Sequence, residues 1–217
     1  MENHIYALNS DVFSDEKLFG FYYDAMPQNR KEKIDRLRFD KDKRLSLGAS
    51  VLIQKALHLF ELSYADIEYN KYGKPLITCK ENAFFNISHS GNMVVCAVSE
   101  HKVGVDIEKI QCFEENVLNC VFLENEISKI RIHSLNPNYD YTKLWTIKES
   151  LVKCKGLGFS LEPLKLYIKN EVQNEVYCDG KKLSNIYFRT YDLERYVITI
   201  CSEDEPFSES IERFVLE

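Results

Sequence analysis

Asp106 and Glu108 stand two residues apart in Gly104-Val105-Asp106-Ile107-Glu108-Lys109. On a strand, period-two geometry turns both carboxylates to one face and leaves Val103, Val105 and Ile107 on the other. Two carboxylates side by side repel, and each favours the other's protonation. A divalent cation removes that penalty, and hard oxygen ligands of this kind suit Mg²⁺, which keeps waters and shares its shell with substrate phosphates. For a D-x-E taken alone, an edge strand with a solvated acidic face explains the spacing better. Glu149 and Lys153 stand four apart in Trp145-Thr146-Ile147-Lys148-Glu149-Ser150-Leu151-Val152-Lys153. With Trp145 they share one helical face, while Leu144, Ile147 and Leu151 line an apolar side. As an exposed pair they would contribute only about 0.3–0.5 kcal/mol. As part of a site they supply a third metal carboxylate and, one turn on, a lysine facing phosphate; Trp145 would cover that site or pack the core.

Two further clusters could meet a phosphate. Asn86-Ile87-Ser88-His89-Ser90-Gly91 ends one strand and turns into the next. Its glycine permits close backbone approach to a ligand, and Ser88 and His89 can donate to phosphate oxygens. The plain alternative is a satisfied hairpin turn. Arg30 to Arg44 is strongly basic, but Glu32, Asp35, Asp40 and Asp42 damp its field. A solvated helix face is its first reading, with two or three contacts to one phosphate group as the second.

The elements that must position these residues follow from hydrophobic periodicity. The first half opens with a strand at His4–Leu8, then a basic helical region over Arg30–Arg44 and a core helix over Leu45–Phe60. Tyr72-Gly73-Lys74-Pro75 is a turn. Three strands in a meander follow, from Phe84, at Met93–Ser99 and at Val103–Glu108. The second half carries a helix at Glu124–Ile130 and a longer one from Tyr141 to about Lys155, ended by Gly156. Strands are expected at Leu164–Lys169, Glu175–Cys178, Tyr187–Tyr191 and Tyr196–Cys201, with a hairpin turn at Cys178-Asp179-Gly180-Lys181. The acidic stretch from Glu203 is expected to be loosely held. The fold class is α+β with mostly antiparallel strands, in two halves of similar make-up.

Composition narrows the function. The chain has 217 residues and a formal net charge of −6, with 45% hydrophobic and 29% charged residues, the mixture of a soluble globular protein. Net negative charge argues against a nucleic-acid partner. No apolar run approaches the ~20 residues of a membrane span, and the acidic N-terminus lacks a signal-peptide pattern, so no membrane and a cytoplasmic location are expected. Seven cysteines without a C-x-x-C pair exclude the usual zinc motifs and read as mostly buried, reduced thiols.

The order of the motifs is more specific than any one of them: a basic helix, G-K-P, N-I-S-H-S-G, G-V-D-I-E-K and W-T-I-K-E-S-L-V-K. In that order they closely resemble the 4′-phosphopantetheinyl transferase superfamily, in particular its Sfp-type branch, over roughly residues 27 to 160. The resemblance implies transfer of phosphopantetheine from coenzyme A to a serine of an apo carrier protein, be it a peptidyl, polyketide or acyl carrier. It implies Mg²⁺, with Mn²⁺ as a substitute, and release of adenosine 3′,5′-bisphosphate. By matching positions it places the metal on Asp106, Glu108 and Glu149, and coenzyme A on Arg30, Lys33, Lys74, Ser88, His89 and Lys153. His89, Arg30 and Lys33 fall to the 3′-phosphate. Glu126 matches the proposed general base, with Glu124 as its neighbour in sequence, and Lys153 supplies charge to the reacting diphosphate. The length favours the Sfp-type branch, and the resemblance then implies two halves fused as a pseudo-dimer, residues 1–105 and 106–217, acting as a monomer with the site in the cleft between them. Two readings compete: a Mg²⁺-dependent pyrophosphatase acting on coenzyme A or nucleotides, and a noncatalytic coenzyme-A- or carrier-binding module.

Overall fold

The computed structural model describes residues 2–69, 75–156 and 162–216. Along the chain the elements are β1 (His4–Asn9), α1 (Glu16–Asp24), α2 (Gln28–Asp35), α3 (Asp40–Leu59), β2 (Ile67–Tyr69), β3 (Pro75–Ile77), β4 (Phe84–Ser90), β5 (Met93–Ser99) and β6 (Val103–Lys109). The second half continues with α4 (Glu115–Val121), α5 (Glu124–His133), α6 (Pro137–Lys155), β7 (Leu166–Asn170), β8 (Glu175–Cys178), β9 (Lys181–Lys182), β10 (Tyr187–Leu193), β11 (Tyr196–Ser202) and β12 (Glu212–Arg213). The α+β class with antiparallel sheets is therefore observed.

Two sheets carry the site. The first runs β12-β1-β5-β4 and the second β10-β11-β6; all pairings are antiparallel except the parallel pair β12–β1. Strand alternation sorts their side chains. Tyr6, Leu8, Val94, Cys96 and Val98 face α3, whose Leu45, Leu52 and Ala56 complete one core. The opposite faces of both sheets meet: Ile5, Ala7, Val95 and Ala97 pack with Val105, Ile107, Ile198 and Ile200. The outer face of the second sheet takes α6 through Ile147, Leu151 and Cys154, together with Phe188 and Cys201. Each sheet thus has a long helix on one side and its counterpart on the other. No helix of the described residues is long and apolar enough to cross a membrane.

Several expectations change here. The basic stretch is two helices rather than one: Arg36 caps α2, and Phe39, in extended backbone, precedes α3. The break turns α2 back so that Ile34 and Arg30 are buried. The tail beyond Glu203 is held. Asn3 and Pro206 bond through their backbones, Phe207 is buried, and Phe214 N–H donates to the Ala7 carbonyl. Of the seven cysteines only Cys96, Cys154 and Cys201 are buried; Cys178 is half-buried and Cys79, Cys112 and Cys120 are exposed. The turn expected at Tyr72-Gly73-Lys74 lies outside the described residues; Pro75 begins β3. The hairpin at Asp179-Gly180 forms as expected, both residues at positive φ.

Candidate active site

Asp106 sits in the middle of β6, opposite Thr199 on β11, and its side chain is almost fully buried at 5% exposure. That burial rules out a solvated acidic face. Two donors converge on it: Ser88 Oγ of β4 donates to Oδ1 at 2.9 Å and Lys153 Nζ of α6 to the same oxygen at 2.5 Å. Lys153 Nζ lies 3.0 Å from Ser88 Oγ as well, closing a triangle. Asp106 Oδ2 is buried without a hydrogen-bond partner. Desolvation pushes the Asp106 carboxyl above its ordinary range, although Lys153 and Ser88 pull it down.

Glu108 follows on the same face. Ser90 Oγ donates to its Oε2 at 2.9 Å. Burial raises its pKa first, and the Asp106 charge raises it further, while both Ser90 and the Trp145 side chain lower it. Glu149, on α6, is raised by burial and then by Asp106, with Glu108 adding to the repulsion. The three carboxylates therefore feel one another, from two segments of chain.

The approach of α6 to β6 has a local cause. A Cβ on Gly104 would fall well inside 3.0 Å of both the Ser150 carbonyl oxygen and the Cys154 amide nitrogen. Only glycine lets the helix backbone lie directly on the strand. Ser150 and Cys154 each follow a site residue, so the contact sets Glu149 and Lys153 over Asp106. The helix itself is fixed at both ends: Asn136 Oδ1 accepts from Tyr139 N–H, Pro137 occupies the first turn, and Gly156 at φ +67° caps the C-terminus.

Whether this donor set suits a divalent ion can be judged from the atoms. Three carboxylates and an unpartnered buried oxygen are the hard, anionic donors that Mg²⁺ takes. Among the described residues, however, no three such side chains stand as a closed ligand cluster. The chemistry fits, and Lys153 occupies one oxygen of the central carboxylate.

Other sequence-identified residues lie elsewhere. His89 alternates with Ser88 and Ser90 and is exposed on the opposite face of β4; desolvation and then the Lys153 cation hold its imidazole below the usual range. Arg30 is buried, donating from Nε and Nη2 to Ser50 Oγ at 3.0 and 2.6 Å and from Nη2 to the Ser46 carbonyl at 3.3 Å. Lys33 is exposed, with its pKa lowered by desolvation and by Arg30. Lys74 lies outside the described residues. Glu126 does not join the carboxylate cluster. At the start of α5 its Oε2 accepts from Leu123 N–H at 2.8 Å and from Lys148 Nζ at 2.6 Å. Lys148 is fully buried, and its Nζ also lies 5.5 Å from the Phe122 ring centroid. Glu126 Oε1 is buried and unpartnered. Glu124, its neighbour in sequence, is exposed.

Three participants escaped the sequence reading. Lys148 had a signal: it shares a helical stripe with Leu144 and Leu151, and a lysine on an apolar stripe needs a buried partner. Ser90 and Asn86 had a weaker one, the period-two spacing Asn86, Ser88, Ser90, which reads equally well as a turn.

Comparison with known proteins identifies the family. Residues 102–201 match the family model described as the 4′-phosphopantetheinyl transferase superfamily, and residues 14–101 match a model of the 4′-phosphopantetheinyl transferase N-terminal region. A 4′-phosphopantetheinyl transferase, gsp, of Aneurinibacillus migulanus is 32% identical over 193 residues, 87% of this chain and 81% of its own. The chain belongs to the 4′-phosphopantetheinyl transferase superfamily. Sfp of Bacillus subtilis, a 4′-phosphopantetheinyl transferase, is 29% identical over 217 residues, covering 90% of this chain and 96% of the relative. A more distant relative is the L-aminoadipate-semialdehyde dehydrogenase-phosphopantetheinyl transferase of Schizosaccharomyces pombe, 27% identical over 71% of this chain. The protein is thus an Sfp-type phosphopantetheinyl transferase, and the two matched regions meet at the turn before β6.

Proposed function

We propose that this transferase moves 4′-phosphopantetheine from coenzyme A to the serine of an apo carrier protein at the seam between the two sheets. The observation that carries the site assignment is the buried meeting of Asp106, Ser88 and Lys153, one residue each from β6, β4 and α6. Asp106, Glu108 and Glu149 would hold Mg²⁺. When bound, the ion neutralises charge on the diphosphate. The division at residues 105 and 106, the pseudo-dimeric relation of the halves, action as a monomer and a cytoplasmic location belong to the same proposal.

The chain's own residues do the positioning. Lys153 directs a cation at the diphosphate from the end of α6, where it stabilises charge that moves toward the leaving group. Ser88 and His89 project to opposite sides of β4, so one faces the carboxylates while the other faces the nucleotide's 3′-phosphate. Arg30 and Lys33 add positive charge beside α3. A largely apolar cavity of about 230 Å³, lined by Pro75, Leu76, Phe85, Val103 and Cys154, lies between the halves and suits the adenine end. The serine oxygen attacks the β-phosphorus in line, forming a new P–O bond. The P–O bond to the α-phosphate breaks, and adenosine 3′,5′-bisphosphate leaves with its electron pair. The serine proton passes to a carboxylate, for which we assign Glu126 acting through a water, because its one oxygen without a protein donor, Oε1, is buried.

Incubation with coenzyme A, Mg²⁺ and a panel of apo carrier proteins, read by intact mass, tests this. A mass gain of one phosphopantetheine on the carrier is expected, and the preferred member identifies the carrier class. Bisphosphate release without an acceptor would instead establish a pyrophosphatase.

A further inference from the structure

The two sheets meet edge to edge at β4 and β6, yet these strands form no backbone ladder with each other. An edge strand leaves a row of N–H groups that must be satisfied. On β6 they are met by side chains. Val105 N–H donates to Asn86 Oδ1 at 2.9 Å and Lys109 N–H to Ser90 Oγ at 3.2 Å. Asn86, Ser88 and Ser90 thus form a comb at strand spacing. Each tooth crosses from the first sheet to the second, and two of the three end on the acidic residues.

Ser90 is the most constrained tooth. A hydroxyl has one proton and two lone pairs. Its oxygen accepts from Lys109 N–H, which orients it, and its single proton then goes to Glu108 Oε2 at 2.9 Å. The backbone of β6 therefore fixes, through Ser90, where the Glu108 side chain points. Ser88 is placed differently, because Lys153 also donates to it and to the oxygen it serves.

We propose that Ser90 is a positioning residue for the magnesium site, holding Glu108 in the orientation from which it ligates. The inference rests on the assignment of Glu108 as a metal ligand. Partners of this kind, one bond behind a ligating carboxylate, typically contribute 10- to 100-fold in metal affinity when they are removed.

The test is a Mn²⁺ titration followed by electron paramagnetic resonance, with coenzyme A present and no carrier, on wild type, Ser90→Ala and Ser90→Thr. Mg²⁺ competition gives the affinity for the lighter ion. Ser90→Ala should weaken binding of both ions about 10- to 100-fold, and Ser90→Thr, which keeps the hydroxyl, should restore it to within a few-fold. In transfer assays at saturating Mg²⁺, the KM for coenzyme A should stay near wild type for both variants. Metal affinity within twofold of wild type in Ser90→Ala overturns the inference, as does a raised KM for coenzyme A at saturating metal with metal affinity intact. Wild-type protein that binds neither ion would sink the metal assignment itself, a result distinct from either. Circular dichroism and thermal melting of Ser90→Ala show whether the variant is folded. If Ser90→Ala is unfolded, Ser90→Cys carries the test, because a thiol keeps the size but donates weakly; there the expected loss is the same and unchanged affinity again overturns the inference.

Discussion

Gly104→Ala is the sharpest perturbation of this site that touches no polar group. The added methyl would lie inside 3.0 Å of Ser150 O and Cys154 N and at 3.0 Å from Cys154 Cα, all helix backbone, whereas ordinary contact begins at 3.4 Å. Backbone cannot rotate away as a side chain can. To restore ordinary separation, α6 must retreat from β6 by roughly 1 Å, and a misplacement of that size at a reacting centre costs about 100-fold in rate. Overpacking a tight contact also destabilises, typically by about 1–3 kcal/mol. The helix carries Glu149 and Lys153, so the retreat separates them from Asp106. The expected result is a protein that folds with a lowered melting temperature and transfers at about one hundredth of the wild-type kcat, measured by intact mass of a carrier at saturating coenzyme A and Mg²⁺. The Lys153–Asp106 bond of 2.5 Å should lengthen, visible in a crystal structure of the variant. Wild-type melting and wild-type kcat together would refute the reasoning, because the helix would then not rest on Gly104.

Three further outcomes are expected. Glu126→Gln keeps the size and still accepts from Lys148, so as a base replacement it should lower kcat by about 10²–10⁴-fold; kcat within tenfold of wild type, with a fallen denaturant midpoint, would make Glu126 the buried partner of Lys148 and no base. Glu149→Gln should abolish transfer yet raise the melting temperature in metal-free buffer at pH 7, since burial and the Asp106 charge hold its carboxyl above the ordinary range. The sign follows from linkage: the folded state binds the proton more tightly, so the penalty is absent below the unfolded carboxyl range and grows as pH rises through the raised folded value. The gain should therefore vanish in acid, and a variant less stable than wild type at neutral pH without metal would count against mutual repulsion. His89→Ala should weaken coenzyme A binding about tenfold, with a smaller effect on 3′-dephospho-coenzyme A; equal losses on both would remove His89 from the 3′-phosphate.

Sequence periodicity located most of the frame because burial is an area effect that repeats with the element. Val103, Val105 and Ile107 had to share a face whatever they packed against, and β5 spans Met93–Ser99 as the apolar run indicated. Periodicity does not say where a break falls. The basic stretch looked continuous because charged residues satisfy a helix on any face, and only burial of Arg30 and Ile34 reveals the turn at Arg36–Phe39. Composition misjudged the tail for a related reason: Glu203 to Glu217 is acidic on average, but single residues, Phe207 and Phe214, anchor it to the N-terminal strand.

For the site, spacing put Asp106 beside Glu108 and Glu149 beside Lys153, but it could not decide what each side chain bonds. An i, i+4 Glu–Lys pair invites a bond along the helix, and Lys153 instead crosses to Asp106, which lies in a drier place and is therefore the stronger acceptor. The same competition explains Lys148: one residue from Glu149, it is rotated about 100° round the helix, away from the carboxylate cluster and into the core against α5. Two lysines of one motif thus serve two buried acids: Lys153, on the face of Glu149, serves Asp106, and Lys148 serves Glu126. Each of these two lysines places its charge on a buried acid, which lowers the cost of holding four carboxylates near one helix. On the proposed assignment an ion would meet Asp106 at Oδ2, which no protein donor holds, while Lys153 keeps Oδ1, so the lysine charge beside the ion would weaken its binding relative to three bare carboxylates.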